Sequence, residues 1–421
     1  MYTKPHASDP ALARLAAARP LLVDVVPARD VVPHHAQGGV SHGGPPIESR
    51  RMCAPMRRAI GVALTIEGLA DSPEAALALV DAGAVPYVPN HDLGGVGPMS
   101  GAVTGSMPVL IARDEATGKT AWCPLNEGSG KVLRYGADGP EVVERLEWMR
   151  DVLGPSLAAA LQAVGPIDLI DVQRQAMEKG DECHHRTEEG SLIVADLLRG
   201  HIPDDVQSFI EGNTQFFLNL AMVSAKLAMD CAADVEGSSL VTVVARNGVE
   251  VGVKLSGTGD QWFVGPAALP DPAALYPGFT PEEMNPDLGD SAIVEVYGLG
   301  ALAVAGSPLS APSVGLRVED IDDIDARLRP IAAGENTECL MTLRDGTTKP
   351  SILGVDGRAV VATGQVPPIH TGIAHREPGI GQIGGGITLP PFGAFVAAVE
   401  ALDARLSEGA GSSDLATATP A

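Results

Sequence analysis

Short apolar runs predict strands towards both ends of the chain. The run Pro20–Pro27 is β-branched and bounded by prolines, which is typical of a buried strand. Arg29 follows it directly, at the place where parallel strands commonly present functional groups. The Asn247-Gly248 pair is a strong hairpin signal between two β-rich runs. The predicted strands span residues 20–27, 109–112, 119–123, 239–245 and 249–255, with a further pair around Asp356-Gly357 within 351–361.

Apolar residues at three- and four-residue spacing predict helices through the middle of the chain. One helix begins with Pro73 in its first turn, after a capping Ser72. The spacing predicts helices over 57–69, 73–82, 142–152, 156–164, 169–179, 190–199, 214–233, 298–305, 318–328 and 392–406. Residues 1–15 are predicted to be loosely held, and the Ser/Ala/Thr/Gly-rich residues 407–421 to be disordered.

The most unusual stretch is the glycine-rich segment 367–386, which carries two histidines five residues apart. Its glycine density argues against a helix or a strand and predicts a loop that lets the backbone approach a ligand. His370 and His375 are candidate proton carriers there, and Thr371, Gly372 and Gln382 are candidate binding residues. The alternative is a tight surface loop with solvated histidines. The G-x-G-x-x-G at 379–384 is rejected as a dinucleotide motif, since no helix is predicted after it.

Length and charge narrow the class of protein. A chain of 421 residues is too long for one compact core, which predicts two or three domains. The net charge of −24 disfavours nucleic acid and anionic membranes as partners. An anionic substrate would therefore need a local cluster of cations. Five scattered cysteines, the lack of a signal peptide and the lack of a long apolar run predict a cytoplasmic protein without a membrane span.

Two polar clusters outside the glycine-rich segment are candidates for chemistry. Residues 180–186 hold Asp181, Glu182, His184 and His185, which could bind a metal or move protons, or form a solvated helix end. Around a glycine turn, Asn126 precedes two cations three residues apart, which could hold an anion or face solvent. These cations are Lys131 and Arg134.

Several segments in a shared order resemble the YlbE-like family, which is found in purine-degradation operons beside an FdrA-type protein. The resemblance covers about residues 15–406. It rests on segments 23–30, 44–46, 51–56, 96–99, 125–128, 130–136, 180–182, 213–219, 245–248, 285–291 and 370–382. The chain departs from the family pattern at His185, where asparagine is usual, and in a less histidine-rich segment at 89–93.

The resemblance implies a mixed α/β, multidomain fold, with two α/β parts and a helical segment between them. We therefore expect an N-terminal α/β domain at 1–140, a helical domain at 141–235, a C-terminal α/β domain at 236–406 and a tail at 407–421. It also implies a component of an oxamate carbamoyltransferase, which converts oxalurate and phosphate to oxamate and carbamoyl phosphate, or acts on a related ureide. The expected partners are a small anionic substrate, an FdrA-like protein and further copies of the chain.

The implied reaction assigns roles to the candidate residues. It needs a polarised carbonyl, a clamped phosphate and a proton carrier. The candidate catalytic residues are His370, His375, His184, Glu182 and Asp181. The candidate substrate- or phosphate-binding residues are Arg29, Arg51, Asn126, Lys131, Arg134, Asn213, Arg246, Asn247, Thr371, Gly372 and Gln382. No cofactor is expected, and a metal site is left open.

Two other functions stay open at this point. The first is a stand-alone hydrolase of an amide or ureide C–N bond, with or without a metal, that uses His91, Asp181, Glu182 and His184. The second is a non-catalytic scaffold subunit of a multi-enzyme complex.

Overall fold

The computed structural model describes residues 9–416, with side chains described through residue 408, and its fold is mixed α/β, as predicted. The helices are α1 (Pro10–Ala17), α2 (Ala28–Val31), α3 (Pro33–Ala36), α4 (Ala54–Ile66), α5 (Pro73–Asp81), α6 (Pro140–Trp148), α7 (Gly154–Val164), α8 (Leu169–Glu178), α9 (Glu188–Leu198), α10 (Asp204–Gly212), α11 (Phe216–Cys231), α12 (Ile293–Tyr297), α13 (Ile321–Leu328), α14 (Gly357–Thr363) and α15 (Phe392–Ala416). The strands are β1 (Pro20–Pro27), β2 (Val40–His42), β3 (Tyr87–Pro89), β4 (Pro108–Asp114), β5 (Thr120–Pro124), β6 (Ile167–Asp168), β7 (Val241–Asn247), β8 (Glu250–Leu255), β9 (Phe263–Pro266), β10 (Ala274–Leu275), β11 (Leu288–Gly289), β12 (Ala332–Thr342), β13 (Thr348–Val355), β14 (Ile369–Ala374) and β15 (Gln382–Thr388).

The strands form several small sheets rather than one large one. Their orders are β5-β4-β1-β6, β11-β7-β8-β9, β10-β15-β14, β12-β13 and β2-β3. Strand β1 pairs antiparallel with both β4 and β6. Arg29 therefore does not follow a parallel strand, and that part of the interpretation is wrong.

Helix α11 lies at the centre of the molecule. Every residue from Phe216 to Met229 is buried, so this helix is covered on all sides instead of presenting one apolar stripe. It packs against β4, β5 and α12. One continuous cluster of buried apolar residues runs from Ala11 to Leu402 and draws on all three expected domains. Across residues 9–416, no helix is both long and apolar enough to cross a membrane.

Most predicted elements are present, and the start of α5 is capped as expected. The Ser72 hydroxyl accepts the N–H of Ala75 at 3.2 Å, ahead of Pro73 in the first turn. The β7–β8 hairpin turns at Asn247, whose side-chain oxygen accepts the N–H of Glu250 at 2.7 Å. Local sequence signals are sufficient here because the caps and the turn are made by neighbouring residues.

Other elements differ from the prediction. The segment 367–386 is not a loop, since its residues form the antiparallel pair β14–β15. Only the first half of 351–361 is a strand, because Asp356 caps α14 and β13 pairs instead with the unpredicted β12. Helix α10 is also unpredicted. The segment predicted as helix at 298–305 forms a 3₁₀ helix over Gly300–Gly306. Residues 10–15, predicted to be loosely held, belong instead to helix α1, which buries Ala11 and Leu15. Helix α15 continues through Ala416, and residues 1–8 and 417–421 of the predicted irregular ends lie outside the described residues.

A buried ion pair joins two of the sheets. Arg246 on β7 donates from Nε and Nη2 to the Asp287 carboxylate, at 2.9 and 3.2 Å. Asp287 also accepts the hydroxyl of Thr371 on β14, at 2.8 Å, and that of Thr388 on β15. Nη1 of Arg246 donates to the carbonyl of Gly289 at 2.6 Å. The sheet containing β7 is thus tied to the β14–β15 hairpin through one carboxylate.

We expect Arg246→Met to destabilise the fold strongly, because it would leave Asp287 buried without its counter-charge. Removing one partner of a buried ion pair typically costs about 3–5 kcal/mol. Urea denaturation measures the loss. The matched control is Arg405→Met, since Arg405 makes an exposed hydrogen bond to Gln261 and should change the free energy of unfolding by less than about 0.5 kcal/mol. Equal, small losses in both variants would show that the ion pair does not support the fold.

Candidate functional site

A cavity of about 380 Å³ lies where the β14–β15 hairpin meets the loops before α9 and the start of α11. Its volume suits a small ligand. Its lining is polar on several sides and includes Pro98, Met99, Ser129, Arg134, Tyr135, His184, His185, Arg186, Thr187, Glu188, Thr214, Gln215, Leu218, Tyr276, Ser291, Leu309, Ser310, Ser313, Thr371, Gly372 and Gln382.

The glycines of the β14–β15 hairpin make room for side chains of this cavity. A Cβ atom at Gly372 would lie 2.0 Å from the Tyr135 hydroxyl oxygen, which no side chain could tolerate. A Cβ atom at Gly385 would lie 2.8 Å from the imidazole of His185. The glycine density therefore serves close approach within a strand pair, which is one of the roles that glycine has in strands.

Glu182 shapes the loop that carries two cavity histidines. Its carboxylate accepts the backbone N–H groups of His184, His185 and Arg186 at 3.0, 2.7 and 2.7 Å. Its Oε1 also lies 3.6 Å from Nδ1 of the fully buried His370. Although burial opposes ionisation, the nearby His370 and these hydrogen bonds lower the pKa of Glu182 to about 2. Burial opposes the charged ring of His370 as well, but Glu182 raises its pKa above the ordinary value.

A second carboxylate orients His184. Glu295 on α12 lies 2.6 Å from Nδ1 of His184, and it also accepts the backbone N–H of His370 at 3.2 Å. Because Glu295 engages Nδ1 of the His184 ring, the Nε2 atom of that ring remains available for another contact. By contrast, burial and the adjacent His370 lower the pKa of His185 to about 4, so the His185 ring is neutral at pH 7.

Two arginines supply positive charge to the cavity wall. Arg134 donates from Nη2 to the carbonyl of Gly128 at 2.7 Å, and its Nη1 has no hydrogen-bond partner among the described residues. Arg186 donates from Nη1 to Glu188 at 2.7 Å, and its Nε likewise has none. Carboxylates lie beside both groups: Oε1 of Glu127 is 3.8 Å from Nη1 of Arg134, and Oδ1 of Asp181 is 3.3 Å from Nε of Arg186. Arg186 also pairs with Glu188 and Glu189, whereas burial raises the pKa of Asp181 to about 7, so Asp181 itself offsets the Arg186 charge only partly near neutral pH.

The structure brings part of the predicted site together. Five candidates line the cavity directly, namely Arg134, His184, Thr371, Gly372 and Gln382. Four others lie behind its wall and contact those residues or their neighbours, namely Asp181, Glu182, Arg246 and His370.

Five other candidates lie away from the cavity. Arg29 is exposed on α2, and Arg51 and Lys131 form exposed ion pairs with Glu250 and Glu141. Of the two cations predicted to hold an anion, Lys131 and Arg134, only Arg134 lines the cavity. Asn247 holds its own hairpin turn, and His375 accepts the N–H of Glu377 at 2.9 Å beyond the end of β14. The two histidines of the glycine-rich segment thus do not face one ligand.

Asn126 and Asn213 belong to a buried amide network beside the cavity. Asn126 donates to Asn219 at 2.8 Å, and Asn213 donates to the Asn126 side chain at 3.2 Å. Asn219 in turn donates to the carbonyl of Pro124 at 2.6 Å. These contacts occupy much of the amides' hydrogen-bonding capacity and join β5 to α11.

Several residues in or beside the cavity were not singled out as site residues. Arg186 adjoins the predicted cluster, which included His185, so its position along the chain was a usable signal. Glu295 is an acidic residue inside the apolar run of α12, a pattern that points to a buried partner. Tyr135 and Gln215 carry no such signal. Across the described residues, no three histidine, cysteine, aspartate or glutamate side chains are grouped so as to hold a metal ion.

Comparison with known proteins relates the whole chain to one family. Residues 85–291 match the family model described as oxamate carbamoyltransferase subunit AllG. The AllG protein of Escherichia coli K12, named as that subunit, is 39% identical over 405 residues, covering 93% of this chain and 96% of that protein. The uncharacterised protein YahG of the same strain is 38% identical over 402 residues, covering 93% of this chain and 84% of YahG.

A solved structure also matches. The crystal structure of a conserved protein of unknown function from Enterococcus faecalis V583 has a TM-score of 0.90 and 38% identity, covering 94% of this chain and 97% of that one. These names support the oxamate carbamoyltransferase part of the resemblance and do not carry the YlbE-like name. With near-complete coverage at this identity, the chain belongs to the family of oxamate carbamoyltransferase subunit AllG.

Proposed function

We propose that this chain is the subunit of a carbamoyltransferase of ureide catabolism that binds the anionic substrate in the cavity beside β14–β15. The observation that carries the proposal is the convergence of Arg134 and Arg186 on one cavity of a chain with a net charge of −24. Each guanidinium keeps one buried nitrogen without a hydrogen bond among the described residues, although a carboxylate oxygen lies within 4 Å of it. A carboxylate or phosphate is the natural partner of such groups, because it accepts from a guanidinium with two oxygens.

The proposed reaction is phosphorolysis of oxalurate or a related ureide. A phosphate oxygen attacks the terminal carbamoyl carbon and forms the new C–O bond, and the bond from that carbon to the oxamate nitrogen breaks. The leaving nitrogen takes up a proton, which balances the proton lost by phosphate, and the products are carbamoyl phosphate and oxamate. Two anions must therefore meet beside a proton carrier, and a positive wall lowers their mutual repulsion.

We assign the proton transfer to His184. It lines the cavity, and Glu295 orients its ring through Nδ1. Glu182 and His370 are positioning residues in this proposal, since neither lines the cavity and their charges hold the loop behind it. The proposal extends to a cytoplasmic complex with an FdrA-like partner and several copies of this chain, on the basis of the resemblance.

The first test is ligand binding by the isolated chain. We expect oxamate, and oxamate with phosphate, to raise the melting temperature. Arg134→Gln should remove most of this gain, because it removes one of two cations from the cavity wall. Arg150→Gln is the control, since Arg150 pairs with the adjacent Asp151 away from the cavity. A gain that persists in Arg134→Gln would count against this cavity as the anion site.

The second test is turnover. In the assembled complex, we expect His184→Asn to slow phosphate-dependent consumption of oxalurate by roughly 10²–10⁴-fold, which is the usual range for general acid–base help. Glu295→Gln should cause a smaller loss, because its role is to orient the His184 ring. The control is His201→Asn, which changes an exposed histidine. A scaffold subunit predicts rates within about threefold of wild type for all three variants, and a hydrolase predicts turnover without phosphate.

The third test concerns the buried pair of His370 and Glu182. Because Glu182 raises the pKa of His370 above 6.5, the pair stabilises the folded state below that value and loses its effect as pH rises through the raised pKa. In Glu182→Gln, only the Glu295 charge remains to oppose the effect of burial on His370, so this loss should lessen. The difference in the free energy of unfolding between wild type and Glu182→Gln should therefore shrink as pH rises from 6.5 through the raised pKa of His370. A constant difference in urea denaturation would show that His370 is uncharged throughout.

A further inference from the structure

A second large concavity lies on the other side of the 127–131 segment from the cavity. It measures about 670 Å³, and we call it the acidic groove. Helix α6 contributes Glu141, Glu144, Arg145 and Trp148, and helix α10 contributes Asp205, Ser208, Phe209 and Gly212. Each set follows the spacing i, i+3, i+4, i+7, so each helix turns a single face to the groove.

The groove has an aromatic floor and an acidic rim. The rings of Trp148 and Phe209 lie 5.0 Å apart, and both side chains are partly exposed. Glu144 and Asp205 are exposed and have no salt-bridge partner among the residues that the structure describes. Asp205 lies in the first turn of α10, where a negative charge is favoured by the helix dipole. That explanation does not apply to Glu144, which lies beyond the first turn of α6, or to the aromatic pair.

The positive charge at the groove is already engaged. Arg145 is its basic lining residue, and Nη1 of Arg145 donates to the carbonyls of Glu127 and Ser129 at 2.8 and 2.7 Å. These bonds hold the guanidinium in place but leave its charge. Carboxylates outnumber this one arginine in the lining, even with Glu141 paired to Lys131, so the rim keeps a negative field above an aromatic surface. Aromatic faces attract cations, and aromatic pockets with arginine anchors are typical centres of protein interfaces.

We propose that the acidic groove docks an arginine- or lysine-bearing segment of a partner protein. The charge on the rim excludes acidic occupants and selects a basic one, and the volume accommodates one long side chain with its flanking backbone. This inference concerns assembly and does not depend on the reaction proposed for the cavity.

Docking would also contact the substrate site. Ser129 lines both the groove and the cavity, and its carbonyl accepts from Arg145. On the cavity side, Gly128 accepts from Arg134 at 2.7 Å. A partner segment in the groove would therefore bear on the same short segment that holds a substrate-binding arginine.

The test uses a dye-labelled heptapeptide with one arginine and one lysine among glycines, with binding to the full chain followed by fluorescence anisotropy. We expect saturable binding that weakens with salt. A neutral analogue with citrulline and norleucine should bind at least about tenfold more weakly, because it lacks both cations. Absence of saturable binding by the basic peptide would overturn the proposal.

Charge-reversal variants separate the groove from the general field of the chain. Glu144→Lys/Asp205→Lys should weaken peptide binding at least about tenfold, whereas the control Asp323→Lys/Glu400→Lys should weaken it less than about twofold. Both pairs are exposed and change the net charge equally. Equal weakening in the two would overturn the proposal. The rise in melting temperature that oxamate causes should persist in the groove variant. If wild type itself shows no such rise, that result contradicts the proposed function and not the docking proposal.

Discussion

The candidate site is built against one buried carboxylate, Asp287. A charge with almost no access to water is tolerated only when donors surround it, and Asp287 has a bidentate guanidinium and two hydroxyls. Those donors come from β7, β14 and β15. The requirement to satisfy the carboxylate therefore fixes the hairpin that forms one wall of the cavity. Thr371 illustrates the consequence, since it belongs both to this network and to the cavity lining.

A second layer of buried charge sets the electrostatics of the cavity. Glu295 accepts hydrogen bonds from more than one segment, whereas Glu182 accepts from the 184–186 backbone and lies 3.6 Å from the His370 ring. Together they fix the backbone and the rings of the nearby histidines. The raised pKa of His370 favours a positive charge behind the wall, while the neutral His185 lines it. In a protein of net charge −24, such local compensation is what makes an anion site physically possible.

The segment from Glu127 to Tyr135 lies between two surfaces with opposite preferences. Its inner side carries Arg134 into a cavity suited to anions, and its outer side borders an acidic groove suited to cations. Glu127 holds the segment by accepting the backbone N–H groups of Leu133 and Arg134 at 2.6 and 3.0 Å. For a family of complex subunits, this arrangement offers a direct physical route by which a partner could influence the substrate site.

Local signals in the sequence determined much of the secondary structure and of the electrostatic requirement. The caps, the Asn247 turn and the helical periodicity act within a few residues, so they can be read without the fold. The clustering of Asp181, Glu182 and His184 also pointed to the loop that lies beside the cavity. Only the tertiary structure decided which cations face the cavity and why the hairpin is rich in glycine. Arg134 and Lys131 are both cations in the same short segment, yet Arg134 lies in the cavity wall and Lys131 forms an ion pair at the surface. Gly372 is required because Tyr135 lies against it, and Glu295 reaches His184 across 111 residues. Such contacts join segments far apart in the chain, so no local pattern of residues specifies them.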